Sequence, residues 1–279
     1  MQKMRPWFFL ILQSALILYV GHLLGGSSGL MIGLVLALLL NTFYYLFSPL
    51  KLKPFSEATK LEGQDPWGLL EMAQNLSQKA HLPSTPPIYL LSSESPQAMV
   101  LGTHFRNASI VLTTALLQHF SKKELEAILA YQIVSIKTQA HLAFNFATLF
   151  ALLILSASNF LDRVYCDVIG IKQKNSFWAH PFSTLLVPLI HFLLHLPLGK
   201  KIYYKLDQKS AQLIGSPRPL AQVYWKLETL RKTKPYKIFP AFAPLFIANP
   251  LTDQGWTRYF QLQPHAKSRI QRLIGSYPI

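Results

Sequence analysis

One cysteine, Cys166, stands in 279 residues, so no disulfide can form within the chain. Charge is scarce as well. Only 14% of residues are Asp, Glu, Lys or Arg, against 51% hydrophobic, a balance that points to a membrane protein. Acids are the rarest of all, 12 against 27 Lys and Arg, which leaves a net charge of +15. A basic excess can serve nucleic acid, but in a membrane protein it marks the cytoplasmic side. It is uneven here: residues 199–279 hold 14 Lys/Arg against Asp207, Glu228 and Asp253, whereas residues 48–141 hold 8 against 7 acids. The length allows a membrane domain plus a water-exposed one.

In place of charge the chain has long apolar runs. Residues 7–24 are apolar apart from Gln13, Ser14 and His22, with Lys3 and Arg5 before them. No small-residue cleavage pattern in a polar context follows, so a removable signal peptide is disfavoured. Gly25-Gly26-Ser27-Ser28-Gly29 leads straight into a second run, Leu30–Phe47, and the two read as a helical hairpin across a bilayer. A third run covers Leu142–Leu161 and a fourth Phe182–Leu198, the latter interrupted by Pro188 and Pro197, with a polar loop Asp162–Pro181 between them. Four spans place both termini and residues 48–141 on one side. That side carries 24 of the 27 basic residues, and the remaining three lie in the Asp162–Pro181 loop.

Between the hairpins, an amphipathic helix is expected near Trp67–Ala80, ended by Pro83-Ser-Thr-Pro-Pro87. Strands are expected at Ile88–Leu91 and Asn107–Thr113, with a turn over Ser92–Pro96 and a helical turn at Ala115–Phe120. Then comes the most informative helix, Glu124–Lys137. Ser121 as N-cap and Glu124 three residues on make a capping box, and Leu125, Ile128, Leu129, Ile133 and Ile136 form one apolar stripe. It is expected to run on through His141 into the third span. By its own residues this is an amphipathic core helix.

Its flanks, Lys123-Glu-Leu-Glu-Ala-Ile-Leu-Ala130 and Ile136-Lys137, resemble the HtpX-type membrane zinc metalloproteases, whose helix reads much like D-E-L-E-A-V-L-A-H-E-L-x-H-I-K. Pro87-Ile88-Tyr89, Asn107-Ala108, Thr114-Ala-Leu-Leu117, Leu245-Phe-Ile-Ala-Asn-Pro250 and Gln263-Pro264…Arg269-Ile270-Gln271-Arg272-Leu273 extend the resemblance, in order, over nearly the whole chain. An active zinc peptidase helix carries H-E-x-x-H, because imidazoles at i and i+4 share one face and the Glu acts as general base. Here Tyr131 and Ser135 take the two His positions and Gln132 takes the Glu position. Counting back from Gly215, Tyr203 falls on the family's third ligand, a Glu, and Asp207 on the Asp that orients a ligand His. The displaced His265 lies two residues past Gln263, which holds the position of the motif's His.

The resemblance implies an α+β, mostly helical fold: four transmembrane helices with a cytoplasmic zincin-like metallopeptidase domain. The expected division is a hairpin at 1–47, a first peptidase-like part at 48–141, a second hairpin at 142–198 and a second peptidase-like part at 199–279. It implies a pseudopeptidase in which Tyr131, Ser135 and Tyr203 are former ligand positions and Gln132 a former base, with no cofactor expected where active members hold zinc. Asp207 is expected near Tyr131, close enough for a hydrogen bond directly or through one water, the alternative being a solvent-facing Asp207 beside Lys205 or Lys209. The partners expected are anionic lipid headgroups and a membrane-protein segment or an active peptidase, in the service of membrane quality control, in a bacterial inner membrane. An active enzyme with a rebuilt site and a purely structural subunit are the competing readings.

Three further features bear on function. His191 and His195 share the spacing of a zinc pair but have no Glu beside the first. Gly25–Gly29 satisfies G-x-S-x-G by letter, but a hairpin turn between two spans accounts for it better than a hydrolase elbow, even with His191 as a conceivable partner. Arg231-Lys-Thr-Lys-Pro-Tyr-Lys237, with Phe239 and Phe242 nearby, suits anionic lipid better than nucleic acid, and no nucleic-acid partner is expected.

Overall fold

The computed structural model describes residues 5–46, 55–63, 65–102, 105–170, 180–195, 197–233, 235–236, 238–251 and 261–277. Helix α1 (Arg5–Leu46) is broken at Gly25 and Gly26, and Gly26 takes φ 56°, ψ −133°. Only glycine adopts that backbone cheaply. The two arms fold back on each other. A Cβ on Gly21 or Gly29 would overlap the other's carbonyl, and Asn41 Nδ2 donates to Ser14 Oγ at 3.0 Å across 27 residues of chain. Outward faces of both arms are apolar, from Trp7 and Tyr19 to Met31 and Leu39.

The water-exposed part begins with β1 (Thr59–Lys60) and α2 (Leu69–Lys79), followed by β2 (Ile88–Leu91), β3 (Ala98–Leu101), β4 (Ser109–Thr113) and the short α3 (Thr114–His119). The sheet order is β1-β2-β4-β3, with β2 parallel to β4 and the other pairs antiparallel. Strand β3, absent from the sequence reading, lies at the edge and is buried along its whole length. Its outer side meets the chain again: Ile247 N donates to Ala98 O at 2.9 Å and Met99 bridges Phe246.

Helix α4 (Lys122–Lys137) crosses the centre, packed against α2, β3, α7 (Lys201–Ile214) and α8 (Arg218–Thr233). Covered on several sides, it buries every residue from Glu124 to Ile136 except Glu126, a wider face than the single expected stripe. It does not run on into the next helix. Gln139 takes φ 57° and separates it from α5 (Ala140–Ile169). Helix α5 in turn passes through the expected Asp162–Pro181 loop as far as Ile169 and is ended by Gly170 at φ 76°. Asp162 is buried and caps α6 (Pro181–His195), accepting N–H groups of Phe182 at 2.8 Å and Ser183 at 3.1 Å and the Ser183 hydroxyl. The rest of that expected loop, residues 171–179, lies outside the described residues.

Among the described residues, two helices are long and apolar enough to cross a membrane, Trp7–Thr42 and Ala140–Ile169. Helix α6, with 15 residues, is about 22 Å long at 1.5 Å per residue. After α8, a 3₁₀ segment (Pro240–Leu245) and α9 (Ala266–Ile274) complete the fold. Described residues before α5 and after α6, far apart in sequence, thus share one core: α7 and α8 pack on α4, and Ile247 pairs with β3.

Candidate functional site: a buried tyrosine–arginine cluster

Tyr131 and Ser135 stand one turn apart on α4, and Tyr203 and Asp207 one turn apart on α7, the two helices being packed together. Tyr131 is 3% exposed, Gln132 2%, Ser135 2%, Tyr203 0% and Asp207 3%, so all five are buried.

The centre of the cluster is a residue not singled out in the sequence, Arg269 of α9. Its Nε donates to Asp207 Oδ2 at 2.8 Å, its Nη2 to Asp207 Oδ1 at 2.5 Å, and its Nη1 to Ile247 O at 2.7 Å. Tyr224 of α8 donates its hydroxyl to Asp207 Oδ1 at 2.6 Å and also touches the guanidinium. Three rings surround Arg269 Cζ, at 3.9 Å for Tyr224, 5.3 Å for Tyr131 and 5.8 Å for Tyr203. Phe144 of α5 stacks on Tyr203 at 5.2 Å. Asp207 and Tyr131 thus meet in one cluster, as expected, through Arg269 and without a direct hydrogen bond to each other. Asp207 belongs to Arg269 and Tyr224, while Tyr131 lies over the same guanidinium, its hydroxyl without a well-formed hydrogen bond. The solvent-facing alternative for Asp207 does not hold.

Burial pushes the Tyr131 phenol up to about 12, with Arg269 opposing the rise and Asp207 adding to it. Tyr203 is raised further by burial and by Tyr131. Both phenols are protonated at neutral pH. The Tyr203 hydroxyl and the Gln132 amide nitrogen also lack hydrogen-bond partners. Ser135 contributes its carbonyl, which meets His141 Nδ1 at 3.3 Å.

Could a sequence reading have found Arg269? Ala266, Arg269, Ile270, Leu273 and Ile274 form the inward stripe of α9, with Arg269 and Ile270 buried. A guanidinium inside an apolar stripe demands a buried acid, and Asp207 is the acid of α7. Tyr224 carries no comparable signal.

The match to known proteins is clear at the level of family. Residues 67–276 match peptidase family M48. The chain belongs to that family. Similar M48-type relatives include a Protease HtpX homolog of Pelotomaculum thermopropionicum, 26% identical over 98% of both chains. Another is a Protease HtpX homolog of Paraburkholderia phytofirmans, 27% identical over 94% of this chain and 92% of that one. In fold, the chain is similar to the crystal structure of S. mikatae Ste24p, with TM-score 0.51 and 19% identity over 93% of this chain. It spans 62% of the length of that structure.

Zinc requires three donors drawn from thiolate, imidazole and carboxylate, at about 2.0–2.3 Å. Against that requirement, Tyr131, Tyr203 and Ser135, the residues expected at the ligand positions, offer two protonated phenols and a hydroxyl, beside a permanently charged guanidinium. These residues do not fit the ion. Among the described residues no group of three His, Cys, Asp or Glu converges anywhere else. His191 and His195 do meet, with ring centres 4.3 Å apart, but among the described residues no third His, Cys, Asp or Glu joins them. In the basic stretch, Lys234 and Lys237 lie outside the described residues. Arg231 is tied to Leu251 O at 2.7 Å and Glu228 at 2.8 Å, and Phe242 packs inside against Phe55.

Proposed function

We propose that this chain is a catalytically inactive M48 protein of a bacterial cytoplasmic membrane, a pseudopeptidase that acts by contact with other membrane components. The observation that carries this reading is the closed cluster itself. Where a peptidase needs an open, metal-bearing cleft, Tyr131, Tyr203 and Tyr224 pack around Arg269 and close the site. Gln132 in the general-base position has no carboxylate to take a proton from water. The β3 edge, where an extended peptide could add as a strand, is partly taken by Phe246 and Ile247.

A filled cleft favours a structural or scaffolding role over capture of a peptide inside the old site. Contact with a membrane-protein segment or an active peptidase, in membrane quality control, is then made through outer surfaces. Four crossings are supported by the doubled α1 and by α5 with the α6 that follows it, and 24 of the 27 basic residues then share one side. This arrangement puts 48–141 and 199–279 in the cytoplasm.

Elemental analysis of the purified protein is expected to find no stoichiometric zinc, and casein to remain uncleaved. Stoichiometric zinc with chelator-sensitive proteolysis would overturn the proposal. The quadruple change Tyr131→His, Gln132→Glu, Ser135→His, Tyr203→Glu is expected to recover zinc binding, since α4 and α7 still present those positions to one another.

A further inference from the structure

Between α7 and α9 lies an open cleft of about 840 Å³, lined among others by Lys201, Tyr204, Lys205, Gln208, Gln212 and Arg272. The α7 residues in it repeat at helical spacing on the face opposite the buried Ile202, Tyr203, Leu206 and Ser210. The volume is within the range of roughly 300–1,000 Å³ that holds a small ligand.

The charge of the cleft is uncompensated. Lys201, Lys205 and Arg272 enter no ion pair among the described residues. The one acid bordering the cleft, Asp207, has both oxygens engaged by Arg269 and Tyr224. Arg272 lies over the Tyr204 ring at 4.1 Å, a contact that positions the guanidinium without neutralising it. Two ammonium groups and a held guanidinium suit a compact oxyanion, since charge-assisted hydrogen bonds to phosphate oxygens are among the strongest available to side chains. Gln208 and Gln212 add amides for neighbouring hydroxyl or ester oxygens, and Ala211, Pro217 and Leu273 an apolar floor.

We propose that this cleft binds a phosphate-bearing ligand. The ligand has two sources, a free phosphate compound or the headgroup of an anionic lipid. Lys201 follows six residues after the end of the apolar α6, which carries exposed Phe182, Leu185, Leu189 and Phe192. If α6 lies in the bilayer, the Lys201 end of the cleft sits at headgroup level; that clause rests on the membrane reading above, and the anion site itself does not.

The test uses the full-length protein in two arms. In phosphatidylcholine nanodiscs it is titrated calorimetrically with inorganic phosphate and with glycerol 3-phosphate. Separately, the phosphatidylglycerol retained per chain is quantified after purification from mixed phosphatidylglycerol–phosphatidylcholine micelles. The Lys205→Gln/Arg272→Gln double variant is expected to weaken binding roughly tenfold or more, because two charge-assisted contacts are lost. Arg218→Gln/Lys232→Gln, which removes two charges outside the cleft, is expected to stay within about twofold. A cleft-dependent loss of retained lipid assigns the headgroup, and a cleft-dependent loss in the titrations assigns a soluble ligand. Should the double variant not fold, Gln208→Glu, which inserts an opposing charge, carries the same expectation. No saturable binding in either arm, or equal weakening in both double variants, overturns the proposal.

Discussion

Removing a carboxylate and a guanidinium from water costs several kcal/mol per ion, and only mutual pairing with further hydrogen bonds offsets it. Arg269 and Asp207 meet that condition through Tyr224 and the Ile247 carbonyl. Breaking the pair from one side is therefore far worse than replacing both. Arg269→Met is expected to destabilise the protein by about 3–5 kcal/mol, since it strands a buried carboxylate. Adding Asp207→Leu to it should recover much of that loss, which denaturant unfolding of the single and double variants would measure; additive losses would show that the charges are not coupled. This pairing was only half legible. The resemblance to the HtpX-type motifs located Asp207, counted back from Gly215, and Tyr131 and Ser135 within α4. The partner of Asp207 lies 62 residues away on another helix, a separation that no periodicity reports.

At the scale of elements, local rules worked where local chemistry decided the outcome. The capping box of α4 formed: Ser121 N and Oγ both donate to Glu124 Oε2, at 2.8 and 2.9 Å, and Lys226 Nζ reaches the same oxygen at 2.8 Å. Strand β2 has the bounds that its β-branched and apolar run predicts. Strand β3 escaped because it is buried throughout and shows no alternation, so nothing in its four residues marks a sheet face. Gln139 escaped because a left-handed residue that is not Gly or Asn has no sequence signal. Burial works against ionisation of Glu124, but Lys226 and Ser121 outweigh it and hold its carboxyl below the usual value. A depressed folded-state pKa gives stability that is present above the unfolded value and is lost as pH falls through the folded one. Glu124→Gln should thus cost on the order of 1 kcal/mol at pH 7 and flatten the acid limb of the stability profile. An unchanged acid limb would remove Glu124 from the account.

At the scale of the whole molecule, packing constrains how the chain can thread a bilayer. Helix α7 packs on α4, and Ile247 pairs with Ala98, so the segments before α5 and after α6 are on the same side of any membrane. Helices α5 and α6 must then both cross, or neither. Helix α5 has 30 residues, ample for a hydrocarbon core of about 30 Å, whereas α6 has 15 and needs the apolar residues as far as Leu198, or a locally thinned bilayer, to return. The glycine seam at Gly21 and Gly29 brings the α1 arms back together in the same manner, which leaves residue 5 and residue 46 at one end of the hairpin. The basic residues do not separate the two options, because 24 of 27 share a side if all four segments cross and all 27 do if α5 and α6 stay together on one side. On the proposed four-crossing reading, compartment reporters fused at Lys174 and after Ile279 are expected to read opposite sides, with Lys174 outside. The same compartment for both would mean that α5 and α6 stay together on one side, and that α5 is a core helix of the water-exposed domain.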